Sequence, residues 1–356
     1  MHFPIPGGGQ KSQLVVGKPS EHWSGFTSLD PKSDKNKRIQ LLLSSANFEY
    51  LKTHAIELRR RHQPSLPIHV ECTTDLTHFA SGFNNLVLEV AFSDNVNWIP
   101  RIPHQALDEG DRISMLSEIV TMKITHQHTT VPIPQIFDFE TFANQPFGYP
   151  YVFMEYLSVR TLPNGVATTI PPQHHTKAAK QLSNVFAELQ NLTFSRIGRL
   201  WARTGIMAMH PDEPDWLTAY LVLKSALTQT IIEDRVRGPF PLCHLDLHFG
   251  NMLFDNEYKP TGVIDWSSAQ AAPLEQLPVC PEFVTFPGLS DEENRPIVEL
   301  KKLVVGSLRE MERTQEKRPH LGSPAVDMTQ RPNLTPLSTY MVSKRLREVH
   351  GTIPLS

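Results

Sequence analysis

Four polar residues in the second half of the chain are spaced for chemistry: His244, Asp246, Asn251 and Asp265. The first three lie in His244-Leu245-Asp246-Leu247-His248-Phe249-Gly250-Asn251, and the apolar run Met252-Leu253-Phe254 follows at once. A polar turn, Asp255-Asn256-Glu257-Tyr258-Lys259-Pro260, then leads to Gly262-Val263-Ile264 and to Asp265-Trp266. Two short apolar runs around a polar turn read as a β-hairpin. Asn251 opens the first strand and Asp265 closes the second, so both fall at the open end, with Asp246 on the loop before it. An amide oxygen and carboxylates converging there make an oxygen-rich site suited to Mg²⁺. Phosphoryl transfer uses such a set: one Asp orients the acceptor hydroxyl, while an Asn and a second Asp hold the metal against nucleotide phosphates. A rival reading takes His244, Asp246 and His248 as an alternating zinc cluster of the metallohydrolase kind. It gives Asn251 and Asp265 no role.

The pattern H-x-D-x-x-x-x-N followed by I-D-W resembles the aminoglycoside phosphotransferase family, in the spelling of its large fungal branch. The resemblance implies a two-lobed, protein-kinase-like α+β fold. Its small N-lobe has an antiparallel sheet plus a helix, and its larger C-lobe is mainly helical. Asp246 would then be the catalytic Asp, Asn251 and Asp265 the Mg²⁺ ligands, and His244 the structural residue that opens the catalytic loop. ATP would give its γ-phosphoryl group to a hydroxyl of a small molecule. Leu245 stands where the family often has Gly.

Elements upstream must position that loop and the nucleotide. The spacing predicts a helix over 45–62, with Ser45 at its start and Arg59-Arg60-Arg61 in its last turn, where cations suit the helix dipole. The segment from His69 to Phe92 reads as strands joined by Ser81-Gly82-Phe83-Asn84-Asn85. Ser81, Gly82, Phe83 and Asn84 resemble the family's nucleotide-covering turn, whose backbone N–H groups can face phosphates. Asn97 to Pro103 reads as the next strand, and Arg101 stands where kinases place a phosphate-binding Lys. A helix is expected from Asp111 to His126, its apolar face made by Ile113, Leu116, Ile119, Val120 and Ile124. By the resemblance Glu118 would pair with Arg101. The prolines of Thr130-Val131-Pro132-Ile133-Pro134 fix an extended path. Tyr149 to Leu157 would be the last N-lobe strand and the hinge, where the main chain at Glu155 and Leu157 would meet the purine edge.

Further along, 174–192 forms an amphipathic helix of core character. Helices are also expected over Trp216–Arg235, Asp291–Glu316 and Tyr340–Val349, with a proline-rich loop over 318–337. The stretch 199–243, where relatives carry part of an acceptor pocket, is shorter than the resemblance implies. Domain boundaries follow: an irregular N-terminal extension over 1–44, the N-lobe over 45–155, and the C-lobe over 156–356.

Composition bounds the partners. The chain has 356 residues, 40% of them hydrophobic, and a formal net charge of −3, which argues against nucleic acid or an anionic membrane as partner. Its three cysteines form no C-x-x-C pair, and no signal peptide or membrane span stands out, so a cytoplasmic location is expected. Gly7-Gly8-Gly9 lacks the strand and the Gly-Lys-Ser/Thr of a phosphate loop. The cluster Lys32, Lys35, Lys37 and Arg38 reads as a solvated face. The competing class is a pseudokinase, a nucleotide-binding module that retains the fold without turnover.

Overall fold

The computed structural model describes residues 20, 23–157, 160–195, 197–200, 238–273, 276, 283 and 289–316. The chain falls into two compact units, Met1–Ala106 with Phe137–Ser158, and Leu107–Ile136 with Val159–Ser356.

Within the stretch expected to be irregular chain, the first unit forms an α-helix. α1 spans Asp34–Ser45, capped by Ser33, whose side chain accepts from the Asn36 N–H. α2 spans Phe48–His62 and is capped by Asn47 through the Tyr50 N–H. Asn47 therefore starts the second helix rather than Ser45, whose hydroxyl lies against the Leu41 carbonyl and the Tyr149 hydroxyl. The strands are β1 (Cys72–Thr74), β2 (Ala80–Ser81), β3 (Asn85–Val87), β4 (Val90–Phe92), β5 (Asn97–Pro103), β6 (Ile136–Glu140) and β7 (Tyr151–Glu155). They make one sheet in the order β1-β4-β5-β3-β2, with β7 beside β5 and β6 beside β7; the pairings in register are antiparallel. α1 and α2 cover this sheet through Ile39, Leu42, Leu51 and Ala55, which share a core with Leu86, Trp98, Ile102 and Phe153. Each large apolar side chain buried there contributes on the order of 1.5–3 kcal/mol. Arg59 stands in the last turn of α2, as expected, and in addition is 5% exposed and pairs with Asp94, its guanidinium 4.5 Å from the centre of the Phe92 ring.

The second unit begins with α3 (Glu109–His128), whose N-terminus is closed by a capping box between Asp108 and Asp111. Its buried face is Met115, Ser117, Glu118, Ile119, Thr121, Met122 and Thr125. Of the expected apolar face, Ile119 is buried, while Ile113, Leu116, Val120 and Ile124 are only half-buried. Polar residues can face inward here because the Thr121 and Thr125 hydroxyls donate to the carbonyls of Ser117 and Thr121. The unit continues with β8 (Arg160–Thr161), α4 (Val166–Thr169), α5 (His175–Asn191), β9 (Thr193–Phe194), β10 (Phe240–Cys243), β11 (Met252–Phe254), β12 (Pro260–Val263), β13 (Gln270–Ala271) and α6 (Asp291–Glu316). α5 packs on α6, and the Ser183 hydroxyl joins them through the Val304 carbonyl at 3.1 Å. Two three-stranded antiparallel sheets, β13-β10-β9 and β12-β11-β8, complete what is described of this unit. The expected helices over Trp216–Arg235 and Tyr340–Val349, and the loop over 318–337, lie outside the described residues. Among the described residues no helix is long and apolar enough to cross a membrane.

Candidate active site

The loop His244–Asn251 links β10 of one small sheet to β11 of the other. Both of its ends are buried, which anchors it. Alternation then decides what faces out: Leu247 is 1% exposed, while Asp246 on one side of it is exposed and His248 on the other is half-buried.

His244 closes the start of the loop. Its Nε2 lies 3.1 Å from the Ile264 carbonyl, which can only accept, so Nε2 carries the proton. The ring meets Trp266 edge-on at 4.8 Å, and the Trp266 indole N–H donates to the Val263 carbonyl. Burial holds the imidazole below its ordinary range, which favours the neutral ring. Burial also pushes the Cys243 thiol next to it up to about 12, which leaves that sulfur protonated and unreactive.

Asp246 is held by Asn251. The Asn251 Nδ2 donates to the Asp246 backbone carbonyl at 2.9 Å and to Asp246 Oδ2 at 3.1 Å. The His248 N–H also reaches the Asp246 carbonyl, and the Asn251 N–H returns to the His248 carbonyl. These bonds fix a tight turn, engage Oδ2 rather than Oδ1 of the exposed Asp246, and dictate which end of the Asn251 amide is nitrogen. Asn251 Oδ1 accepts no hydrogen bond from the described residues.

Asp265 is brought beside Asn251 by the hairpin. Met252 pairs with Val263, and the Ile264 N–H donates to the Asn251 carbonyl at 3.0 Å, so Asp265 is the next residue out. Asp255 shapes the hairpin turn, its Oδ1 accepting from the N–H groups of Glu257 and Lys259. Asp265 has φ 57° and ψ 65°, a left-handed conformation that costs a non-glycine residue on the order of 1–3 kcal/mol. Its Oδ1 accepts from the Ser267 hydroxyl at 2.7 Å. α3 packs against the turn Trp266–Ser268 that follows, and the Pro132 carbonyl receives the Val263 N–H at 2.8 Å. The oxygen-only set of Asn251 Oδ1 and the Asp265 carboxylate fits a hard cation such as Mg²⁺.

Sequence reasoning missed the part played by His248 and Gly250. His248 Nδ1 accepts the Gly250 N–H at 3.0 Å, and its Nε2 stands 3.6 Å from Asp246 Oδ2. A Cβ on Gly250 would lie 2.7 Å from His248 Cε1, so only glycine admits the ring in this place. The signal was the spacing His248-Phe249-Gly250, legible only once the loop is known to fold back. Of the zinc rival's histidines, His248 has its Nδ1 engaged by the Gly250 N–H, while His244 Nδ1 is buried with no partner among the described residues. Among the described residues no group of three or more His, Cys, Asp and Glu is placed to hold a metal ion.

The other candidate residues fall on the following elements. Ser81 ends β2, and Gly82, Phe83 and Asn84 form an exposed turn closed by the Gly82 N–H on the Asn85 carbonyl at 2.9 Å. Arg101 sits in mid-sheet, registered with Val87 on β3 and Val152 on β7, and is half-buried. Glu155 ends β7 opposite Trp98, and Leu157 lies two residues beyond. These belong to the first unit. Glu118 is in the second, buried at 5% exposure on α3.

Comparison with known proteins adds the family. The sequence profile of the phosphotransferase enzyme family matches residues 75–276, more than half of the chain. Among solved structures, one similar chain is a Ralstonia eutropha JMP134 protein described as an aminoglycoside phosphotransferase. It has a TM-score of 0.48 and 15% identity over 85% of this chain and 91% of that one. Another is the macrolide 2′-phosphotransferase of Brachybacterium faecium, with a TM-score of 0.41 and 14% identity over 83% and 89%. No curated protein sequence matches. The chain belongs to the phosphotransferase enzyme family, and its described residues form an α+β fold.

Proposed function

We propose that the protein transfers the γ-phosphoryl group of ATP to a hydroxyl of a small molecule, with Asp246 as the residue that orients that hydroxyl. The observation that carries this reading is the double grip of Asn251 on Asp246 beside the strained Asp265. It ties the exposed carboxylate and the oxygen-rich pair into one turn.

Each residue has a task that follows from its bonds. Asp246 Oδ2 is committed to Asn251, so Oδ1 is the oxygen left for the acceptor O–H. The acceptor oxygen attacks the γ-phosphorus, the bond to the ADP oxygen breaks, and the hydroxyl proton passes to Asp246 Oδ1 late in transfer. Asn251 Oδ1 and Asp265 would hold Mg²⁺, which when bound neutralises phosphate charge and fixes the phosphates for in-line displacement. Strain at Asp265 is understandable in that role, because it aims a carboxylate that an ordinary strand end would point elsewhere. Arg101 would offset phosphate charge, and the Ser81–Asn84 turn would offer N–H groups to the same oxygens. Positioning and preorganised charge supply most of the rate enhancement in such a site.

The test is an ATP-consumption screen across small hydroxyl compounds: aminoglycosides, choline-like alcohols, sugars and hydroxy amino acids. The reading expects Mg²⁺-dependent ADP release with one of these classes and a phosphorylated product in the mass spectrum. Mg-ATP binding without transfer to any acceptor would instead favour a nucleotide-binding module.

A further inference from the structure

The cations near the N-terminus are of two kinds. Lys32 and Lys37 are exposed, and Lys37 pairs with Asp34. Lys35 and Arg38 are half-buried. With Ile39 and Leu42 they occupy the i, i+3, i+4, i+7 stripe of α1, the stripe a surface helix turns toward the core. Ile39 and Leu42 are fully buried in the cluster that holds Leu86 and Ile102. Docking of those two side chains carries the two cations to the β2–β3 turn.

There Lys35 Nζ donates to the Ser81 carbonyl at 3.2 Å. Arg38 Nε donates to His104 Nδ1 at 3.5 Å, and the His104 backbone N–H donates to the Asn84 carbonyl at 3.0 Å. Gln105 Nε2 adds a contact to Asn84 Oδ1 at 3.4 Å. The carbonyls at both ends of the turn are thus held from the protein side. His104 is 4% exposed, and its Nε2 is buried with no partner among the described residues. Burial, then the charges of Arg38 and Lys35, hold its imidazole below the ordinary range, so it passes the constraint from Arg38 to Asn84 as a neutral group. A cation on the Ser81 carbonyl also polarises that peptide, which strengthens the Gly82 N–H bond that closes the turn. Among the described residues neither Lys35 nor Arg38 is paired with a carboxylate, and the N–H groups of Phe83 and Asn84 have no partner.

We propose that α1 is a working part of the nucleotide site: Lys35 and Arg38 hold the Ser81–Asn84 turn in the shape that presents its free N–H groups to the phosphates of ATP. This rests on the reading of that turn as the phosphate-covering loop. Both are positioning residues, Lys35 acting through Ser81 and Arg38 through His104. Their charge adds a field that favours a triphosphate over an uncharged nucleoside.

The experiment compares Mg-ATP and adenosine as ligands of the wild type and of Lys35→Met, Arg38→Met and Lys35→Arg, by calorimetric titration and by inhibition constants. Methionine keeps the apolar stem of each residue, and thermal melting checks that each variant folds. Lys35→Gln and Arg38→Gln replace any that does not. The inference expects Mg-ATP to bind roughly tenfold more weakly to each charge-removing variant, about 1.4 kcal/mol. Adenosine affinity should stay within twofold, Lys35→Arg should regain most of the loss, and KM for ATP should rise far more than kcat falls. Unchanged Mg-ATP affinity, or an equal loss for adenosine, overturns the role of α1 and leaves the nucleotide reading standing. A wild type that binds no Mg-ATP overturns both.

Discussion

Asn251 holds Asp246 through a single amide nitrogen, at 2.9 Å to its backbone carbonyl and 3.1 Å to its side-chain Oδ2. The residue proposed to offer an oxygen to Mg²⁺ is therefore also the one that holds the carboxylate. This links two tasks that sequence alone would assign separately, and it makes the amide nitrogen of Asn251 as necessary as its oxygen.

Asn251→Asp separates the two tasks. It keeps an oxygen for the metal but exchanges the donor for a second carboxylate facing Asp246. Losing both bonds is expected to cost about 2–3 kcal/mol of orientation, roughly 100-fold in kcat. Initial rates of ADP release at saturating Mg-ATP measure it. A variant within twofold of wild type would show that Asp246 does not need the amide.

Gly250→Ala tests the seat of His248. The new Cβ would stand 2.7 Å from the ring, so His248 must leave its position beside Asp246. A fall in kcat of about tenfold is expected, on the order of 1.4 kcal/mol. In a His248→Ala background the same substitution should cost almost nothing, since the clash is gone. Full additivity in this double-mutant cycle would mean that Gly250 acts without His248.

Asp265 stores strain that its replacements relieve to different extents. Asn tolerates the left-handed region, Gly is free in it, and Ala is not. Thermal melting should therefore place Asp265→Gly and Asp265→Asn at or above wild type. Asp265→Ala should fall about 1 kcal/mol below Asp265→Gly. All three should lose Mg²⁺-dependent ATP binding in calorimetry. Equal melting temperatures for the Ala and Gly variants would contradict the strained geometry.

How much of this was legible beforehand depends on sequence distance. The hairpin and its polar ends could be read because Asp246, Asn251 and Asp265 lie within twenty residues and local turn chemistry sets their relation. α3 was found, but its inward face was misjudged: Thr121 and Thr125 satisfy their hydroxyls on the helix's own carbonyls and so behave as core residues. α1 was missed because two of its four stripe positions are cations, Lys35 and Arg38, which breaks the apolar period. Their partners, Ser81 and His104, are 46 and 66 residues away, beyond the reach of any spacing argument. The same holds for Arg59, whose partner Asp94 lies 35 residues on.

That last pair makes a prediction about pH. The Arg59 guanidinium holds the Asp94 carboxyl below its ordinary range, against a smaller opposing effect of burial. A carboxylate depressed in the folded state contributes stability that is present above its unfolded value and lost as pH falls through the folded one. Asp94→Ala should therefore flatten the acid side of the stability curve. At neutral pH it should cost about 2–3 kcal/mol, less than a fully buried pair because Asp94 is partly exposed. Melting temperature followed from pH 7 downward checks both, and a wild type and variant with parallel curves would refute the coupling.

The central claim is that Asp246 orients the acceptor hydroxyl and takes its proton. It is tested most directly by single-turnover transfer of labelled γ-phosphate from Mg-ATP to the acceptor that the hydroxyl screen identifies, in wild type and in Asp246→Ala. The account predicts that transfer slows by a factor on the order of 10³ or more, while the calorimetric affinity for Mg-ATP stays within a few-fold. Transfer by Asp246→Ala at the wild-type rate would contradict it.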